Sequence, residues 1–181
     1  MTESQLQRLA KPFPARYVKK PAAGKYGSYV EHSAITQALL DRVGPYDFRI
    51  REPLWGYVPE RVIPARENRP ERRLPAIERT ITGAICALTV TIDGRTVTIE
   101  EVGDCEDPHN WPTEGARLKD AASDGIKRCA MRIGLGLHLW AQEDYFLDKA
   151  LEAKVIERVK EGVGMLAMAY AKGELDPERP L

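Results

Sequence analysis

Residues 81–102 read ITGAICALTVTIDGRTVTIEEV, and this stretch decides the fold. Asp93-Gly94 is a favoured dipeptide for a two-residue type I′ turn, because both central positions need positive φ. Folding the chain about it opposes Val90 to Val97 and Leu88 to Ile99 on one face. Thr91 then meets Thr96, and Thr89 meets Thr98, on the other. One face is apolar and needs a covering element; the other is hydroxylated and suits solvent or a partner.

The cover follows the loop GDCEDPHNWP (103–112). From Thr113 onward, Leu118, Ala122, Ile126, Cys129 and Ile133 recur at spacings of 4, 4, 3 and 4, which predicts a long amphipathic helix. At about 100° per residue, Arg117, Arg128 and Arg132 fall within about 60° of one another, off the apolar stripe. Ala121 and Gly125 lie on the same flank and leave room for a polyanion to approach. Two readings of this flank stand: a nucleic-acid face, or a solvated face on which Asp124 neutralises Arg128 at i,i+4.

Towards the N-terminus, Ser4 to Lys11 reads as a short helix closed by Pro12-Phe13-Pro14. RYVKKPAAGKYGSYVEH (16–32) is a basic loop feeding a short strand at Tyr29-Val30. Ser33 is placed to N-cap a helix running through Ile35, Leu39 and Leu40 to Val43, with Gly44 ending it. Tyr46 to Ile50 alternates as a half-buried strand does. Between Val58 and Pro75 the chain carries five arginines and four prolines, a composition that reads as an extended or disordered loop. Towards the C-terminus, Leu151, Val155, Val159, Val163, Leu166 and Tyr170 mark a second amphipathic helix over 148–172, its stripe suited to core or subunit contact. The last residues, GELDPERPL, are expected to fray.

A chain of 181 residues fits one domain with a core of its own, and 1–181 reads as a single α+β domain. No apolar run approaches the roughly 20 residues of a membrane span. The N-terminus lacks a signal-like apolar stretch, so a cytoplasmic location is expected. Cys86, Cys105 and Cys129 are scattered, as reduced thiols are. Net charge is zero, but it is segregated: residues 1–25 hold six Lys/Arg against one Glu, and 83–110 one Arg against six Asp/Glu. Separate basic and acidic faces permit polyanion binding on one of them.

The stretch GARLKDAASDGIKRCAMRIG (115–134), followed by LHLWAQEDYF (137–146), resembles the helix of the Rad-fifty-two/Rad-twenty-two family of single-strand annealing proteins. The matching positions are Ala121, Asp124, Gly125, Ile126, Lys127, Arg128, Gly134, Asp144 and Tyr145. Tyr29-Val30-Glu31-His32 is similar to the family's Y-I-E-G-H segment without its glycine, and ALTVTIDGRTVTIEEVG (87–103) to its hairpin. The resemblance spans roughly residues 16–147. It implies a curved antiparallel sheet on a long helix, assembled as a ring with single-stranded DNA in a basic groove. Carried onto this chain, the groove takes Lys127 and Arg128, Lys119 before them, Lys19 or Lys20, and Tyr29. Arg117, Arg132 and Lys25 join them as basic neighbours, and Tyr26 and Trp111 as further aromatics, with packing the favoured role for Trp111. The 58–75 segment is longer than its counterpart, and nothing carries over to it.

The expected function is therefore ATP-independent annealing by a non-enzymatic homo-oligomer in recombination and double-strand break repair, with no cofactor or metal. A host single-strand-binding protein or a recombinase is a candidate further partner. Two alternatives stand beside it. One is a module that protects DNA ends without annealing. The other is a metal-dependent nuclease using Asp93, Glu100, Glu101 and Asp104, although no lysine follows at the spacing a common nuclease pattern needs. A zinc site on Cys105 and His109 lacks a second ligand pair, and no glycine-rich Lys-Ser/Thr loop exists for ATP.

Overall fold

The computed structural model describes residues 3–21, 27–65 and 67–172. Their contacts divide the chain into two compact units, Met1–Glu143 and Asp144–Leu181. The first is an α+β unit: a three-stranded antiparallel sheet packed against a 19-residue helix.

The sheet comprises β1 (Asp47–Val58), β4 (Ile77–Ile92) and β5 (Arg95–Asp104) in the order β1-β4-β5. β4 and β5 pair in the register that the turn dictates, Leu88 with Ile99 and Val90 with Val97. Asp93 and Gly94 take φ of 48° and 80°, and Thr89–Thr98 and Thr91–Thr96 hydroxyls bond across the outer face, each pair at 2.9 Å. β4 is the centre strand because it alone is rich enough in apolar residues to be paired on both edges. β1 runs well past the predicted Ile50. Irregularities in its pairing after Ile50, Leu54 and Gly56 interrupt the alternation that would have revealed its length.

Between β1 and β4 the expected loop is instead a small antiparallel hairpin, β2 (Arg61–Ile63) paired with β3 (Arg72–Leu74). Pro59, Pro64, Pro70 and Pro75 all lie outside its two strands, where a missing N–H costs nothing. Three-residue strands are too short to show a period, so composition misled.

α1 (Gln5–Ala10) is capped by Ser4, whose hydroxyl accepts from Gln7 N–H at 3.1 Å. Asp93 at the hairpin turn also accepts N–H bonds from Gln5 and Leu6, at 2.7 and 3.3 Å, docking this helix on the turn. α2 (His32–Val43) starts one residue before Ser33, with Glu31 at the cap position, and ends at Gly44 with φ 85°. Leu9, Phe13, Ile35 and Leu39 join Leu88 and Val90 of the sheet in one buried cluster.

α3 (Glu114–Arg132) starts at Thr113, whose hydroxyl accepts from Ala116 N–H at 3.2 Å. Its buried seam is rotated from the expected stripe. Ile126, Cys129 and Ile133 are buried, but Leu118 and Ala122 are only half-buried, while Arg117, Ala121 and Gly125 are buried. The reason is a backbone-to-backbone approach. A Cβ on Gly103 of β5 would lie 2.0 Å from the Ala121 carbonyl oxygen and 2.5 Å from Gly125 N, and one on Gly125 would lie 2.5 Å from Cys86 Sγ. The small flank read as an opening for a polyanion is therefore filled by the sheet itself.

After Gly134 and Gly136, with φ of 97° and 80°, the chain turns into α4 (His138–Ala141). The second unit holds α5 (Leu147–Ala171). Leu151, Val155 and Val159 are half-buried and Ile156, Val163, Met165 and Met168 exposed; among its residues whose side chains are described, none is buried. The 173–181 tail lies outside the described residues. No helix among the described residues is long and apolar enough to cross a membrane.

Candidate nucleic-acid interface

Arg117 is the arginine of α3 that the fold consumes. It is 9% exposed, and its guanidinium donates to the Pro108 carbonyl at 3.0 Å and to Glu114 at 2.8 Å. Glu114 in turn accepts from Ile81 N–H at 2.8 Å and from the Thr80 hydroxyl at 2.9 Å, tying the start of α3 to β4. These donors, the Ile81 N–H foremost, hold the Glu114 carboxyl below the usual glutamate range.

The other basic residues of α3 sit at the surface, and most face a carboxylate. Arg128 bonds Asp124 at 2.6 Å, Lys127 reaches the other oxygen of Asp124 at 3.5 Å, and Arg132 pairs with Glu101 of β5. The bond to Asp124 holds the Arg128 guanidinium above its ordinary value. Lys119 is exposed one turn or more towards the N-terminus. The neutralised-face reading thus describes Arg128 in the unliganded chain.

The basic N-terminal segment comes to the same side. Lys19 and Tyr29 exchange backbone hydrogen bonds of 2.8 and 3.0 Å in an isolated bridge. Lys19 pairs with Glu31, whose hydrogen bond raises its ammonium, and Lys20 beside it is exposed. Tyr29 is 45% exposed and lines a cleft of about 80 Å³ together with Asp124, Lys127 and Met131 of α3 and Leu139 and Trp140 of α4. Two segments far apart in sequence therefore line one cleft. Lys25 and Tyr26 lie outside the described residues. Trp111 is 37% exposed and lines a different surface hollow with Asp120 and Arg61.

Trp140 was missed. It is 62% exposed and lies under the Arg128 guanidinium, 5.7 Å from ring centroid to Cζ. No helical period links it to Arg128, because the Gly134–Gly136 turn reverses the phase between them. The available signal was a tryptophan just past a two-glycine helix stop, in a stretch too short to bury it.

The carboxylates of the nuclease alternative are dispersed. Asp93 caps α1, Glu100 lies 3.5 Å from Arg51, and Glu101 is held by Arg132. Only Asp104 has acidic company; partial burial, and then Asp124, push its carboxyl up. Cys105 is buried, and burial pushes its thiol up to about 12. His109 contacts the Pro75 carbonyl at 2.9 Å. Among the described residues no three His, Cys, Asp or Glu side chains group as metal ligands do.

No protein-family model, curated protein or solved structure matches this chain.

Proposed function

We propose that this protein binds single-stranded DNA and anneals complementary strands without ATP, as a ring-forming homo-oligomer acting in recombination and double-strand break repair. The observation that carries the reading is the convergence of Tyr29 with Lys127 on one cleft, with Arg128 beside it and Lys19 bridged to Tyr29. These are the residues that the resemblance to the annealing family assigns to its groove, and a meander sheet on a long helix is the architecture it implies. Arg117 drops out of the contact set, since its hydrogen bonds belong to the fold.

The physical logic is exchange of carboxylate for phosphate. Solvent-exposed ion pairs such as Lys19–Glu31 contribute only about 0–1 kcal/mol, so a DNA backbone can displace Glu31 at small cost. Glu101 and Asp124, mostly buried, stay in place, and phosphate takes the remaining donors of Arg132, Lys127 and Arg128. Contacts to phosphate leave most base edges free to find their complements, and counterion release makes the affinity fall steeply with salt.

The test is annealing of two complementary labelled oligonucleotides, without ATP and with chelator. Acceleration that is lost at high salt supports annealing. Binding without acceleration leaves an end-protecting module, and absence of binding overturns the reading. In a chain shown by circular dichroism to be folded, Lys127→Ala with Arg128→Ala should weaken single-strand binding at least tenfold. Light scattering should report a large oligomer; a 20.3 kDa monomer would contradict the ring.

A further inference from the structure

The cleft beside α3 is built for more than a phosphate. Its lining includes the exposed aromatics Tyr29 and Trp140, the half-buried Met131 and Leu139, and the Lys127–Asp124 pair. A phosphate alone would gain from Lys127 but be repelled by Asp124. A nucleobase meets every part of the lining: its face suits the aromatic and thioether surfaces, and its ring or exocyclic N–H groups suit the carboxylate.

Size narrows the choice. At about 80 Å³ the cleft is roughly half the ~150 Å³ cavity that encloses a benzene ring. An open cleft of that size admits one planar ring inserted partway, and neither a peptide helix nor a stacked pair of bases. Arg128 lies over Trp140 at 5.7 Å, yet the indole is still 62% exposed, so aromatic surface remains for a second planar group.

We infer that this cleft is a base-capture subsite, in which one unstacked base of the bound strand inserts between Tyr29 and Trp140 while its flanking phosphates pair with Lys127 and Arg128. The inference rests on the single-strand-binding reading above and deepens it. It makes the site selective for single strands, because a paired and stacked base cannot enter. It also assigns Asp124 a second role: the carboxylate steers phosphate outward and base inward.

The experiment compares binding of the full chain to an oligothymidylate and to an oligomer of the same length and charge whose sugars carry no bases. Stacking of one base predicts at least about fivefold tighter binding of the normal strand. Trp140→Ala should shrink that ratio several-fold, and Trp140→Phe should restore most of it. Equal binding of the two oligomers by the unaltered chain overturns base capture, as does an unchanged ratio in Trp140→Ala. Failure to bind either oligomer is a different result, since it removes the single-strand-binding reading itself.

Discussion

α3 and α5 carry the same kind of sequence signal and meet different fates. Both repeat an aliphatic residue every three or four positions. In α3 the seam is buried against β4 and β5 down to backbone contact at Gly103 and Gly125; in α5 the stripe residues Leu151, Val155 and Val159 are only half-buried and Val163 is exposed. A stripe states that a face wants cover, not what covers it. α3 follows directly on a hairpin whose bare apolar face is its complement. The difference between the two helices can be broken or sharpened by substitution.

The largest effect should come from Gly103→Ala. Its methyl group would lie 2.0 Å from a carbonyl oxygen of α3, and backbone on both sides cannot yield, so a loss of about 3 kcal/mol is expected. Urea denaturation measures it, and a loss under about 1 kcal/mol would mean that α3 does not lie on β5 this closely. Gly115→Ala on α3, where an added Cβ meets nothing within 4 Å, is the control.

Glu114→Gln should have an intermediate effect. Weakening its bonds to Ile81 N–H, the buried Thr80 hydroxyl and Arg117 should cost about 1–3 kcal/mol. The pH dependence follows from sign. The carboxyl is held below its ordinary value in the folded chain, so its stabilisation is present above the unfolded-state value. It is lost as pH falls through the folded value. Thermal melts from pH 7 down to pH 3 should therefore converge for the two proteins. Parallel curves would show that the ionised carboxylate does not tie α3 to β4.

Val163→Ser on α5, at an exposed position, should have the smallest effect, within about 0.5 kcal/mol, as for a substitution away from a packed interior. A loss above 2 kcal/mol in the same melts would mean that the stripe is covered after all.

The same contrast explains what was legible in advance. Turn chemistry is local, so Asp93-Gly94 determined the β4–β5 register to the residue, and Thr113 marked the start of α3. Rotation of α3 on the sheet was not legible, because it depends on Gly103 meeting Gly125 and no helical period encodes a contact between separate elements. That error made Ala121 and Gly125 look open and Arg117 look available. Arg128 shares the flank of Arg117 and Ala121 and is half-buried, whereas Lys127 points away from it. The contact of Trp140 with Arg128 was not legible, because the Gly134–Gly136 turn lies between them. The irregularities in β1 hid its length, and the short ladders of β2 and β3 hid their pairing.

The β2–β3 arm leaves the sheet after Val58 and the chain rejoins it at Ile77, and these two residues are themselves register partners. The ends of the arm are thus held together by the sheet, whatever lies between them. Loop-closure entropy grows only logarithmically, so doubling the length of such a tethered insert costs about 0.6 kcal/mol. The arm is therefore a module whose length and sequence can drift, or be exchanged by grafting, while the strands that carry α3 keep their register.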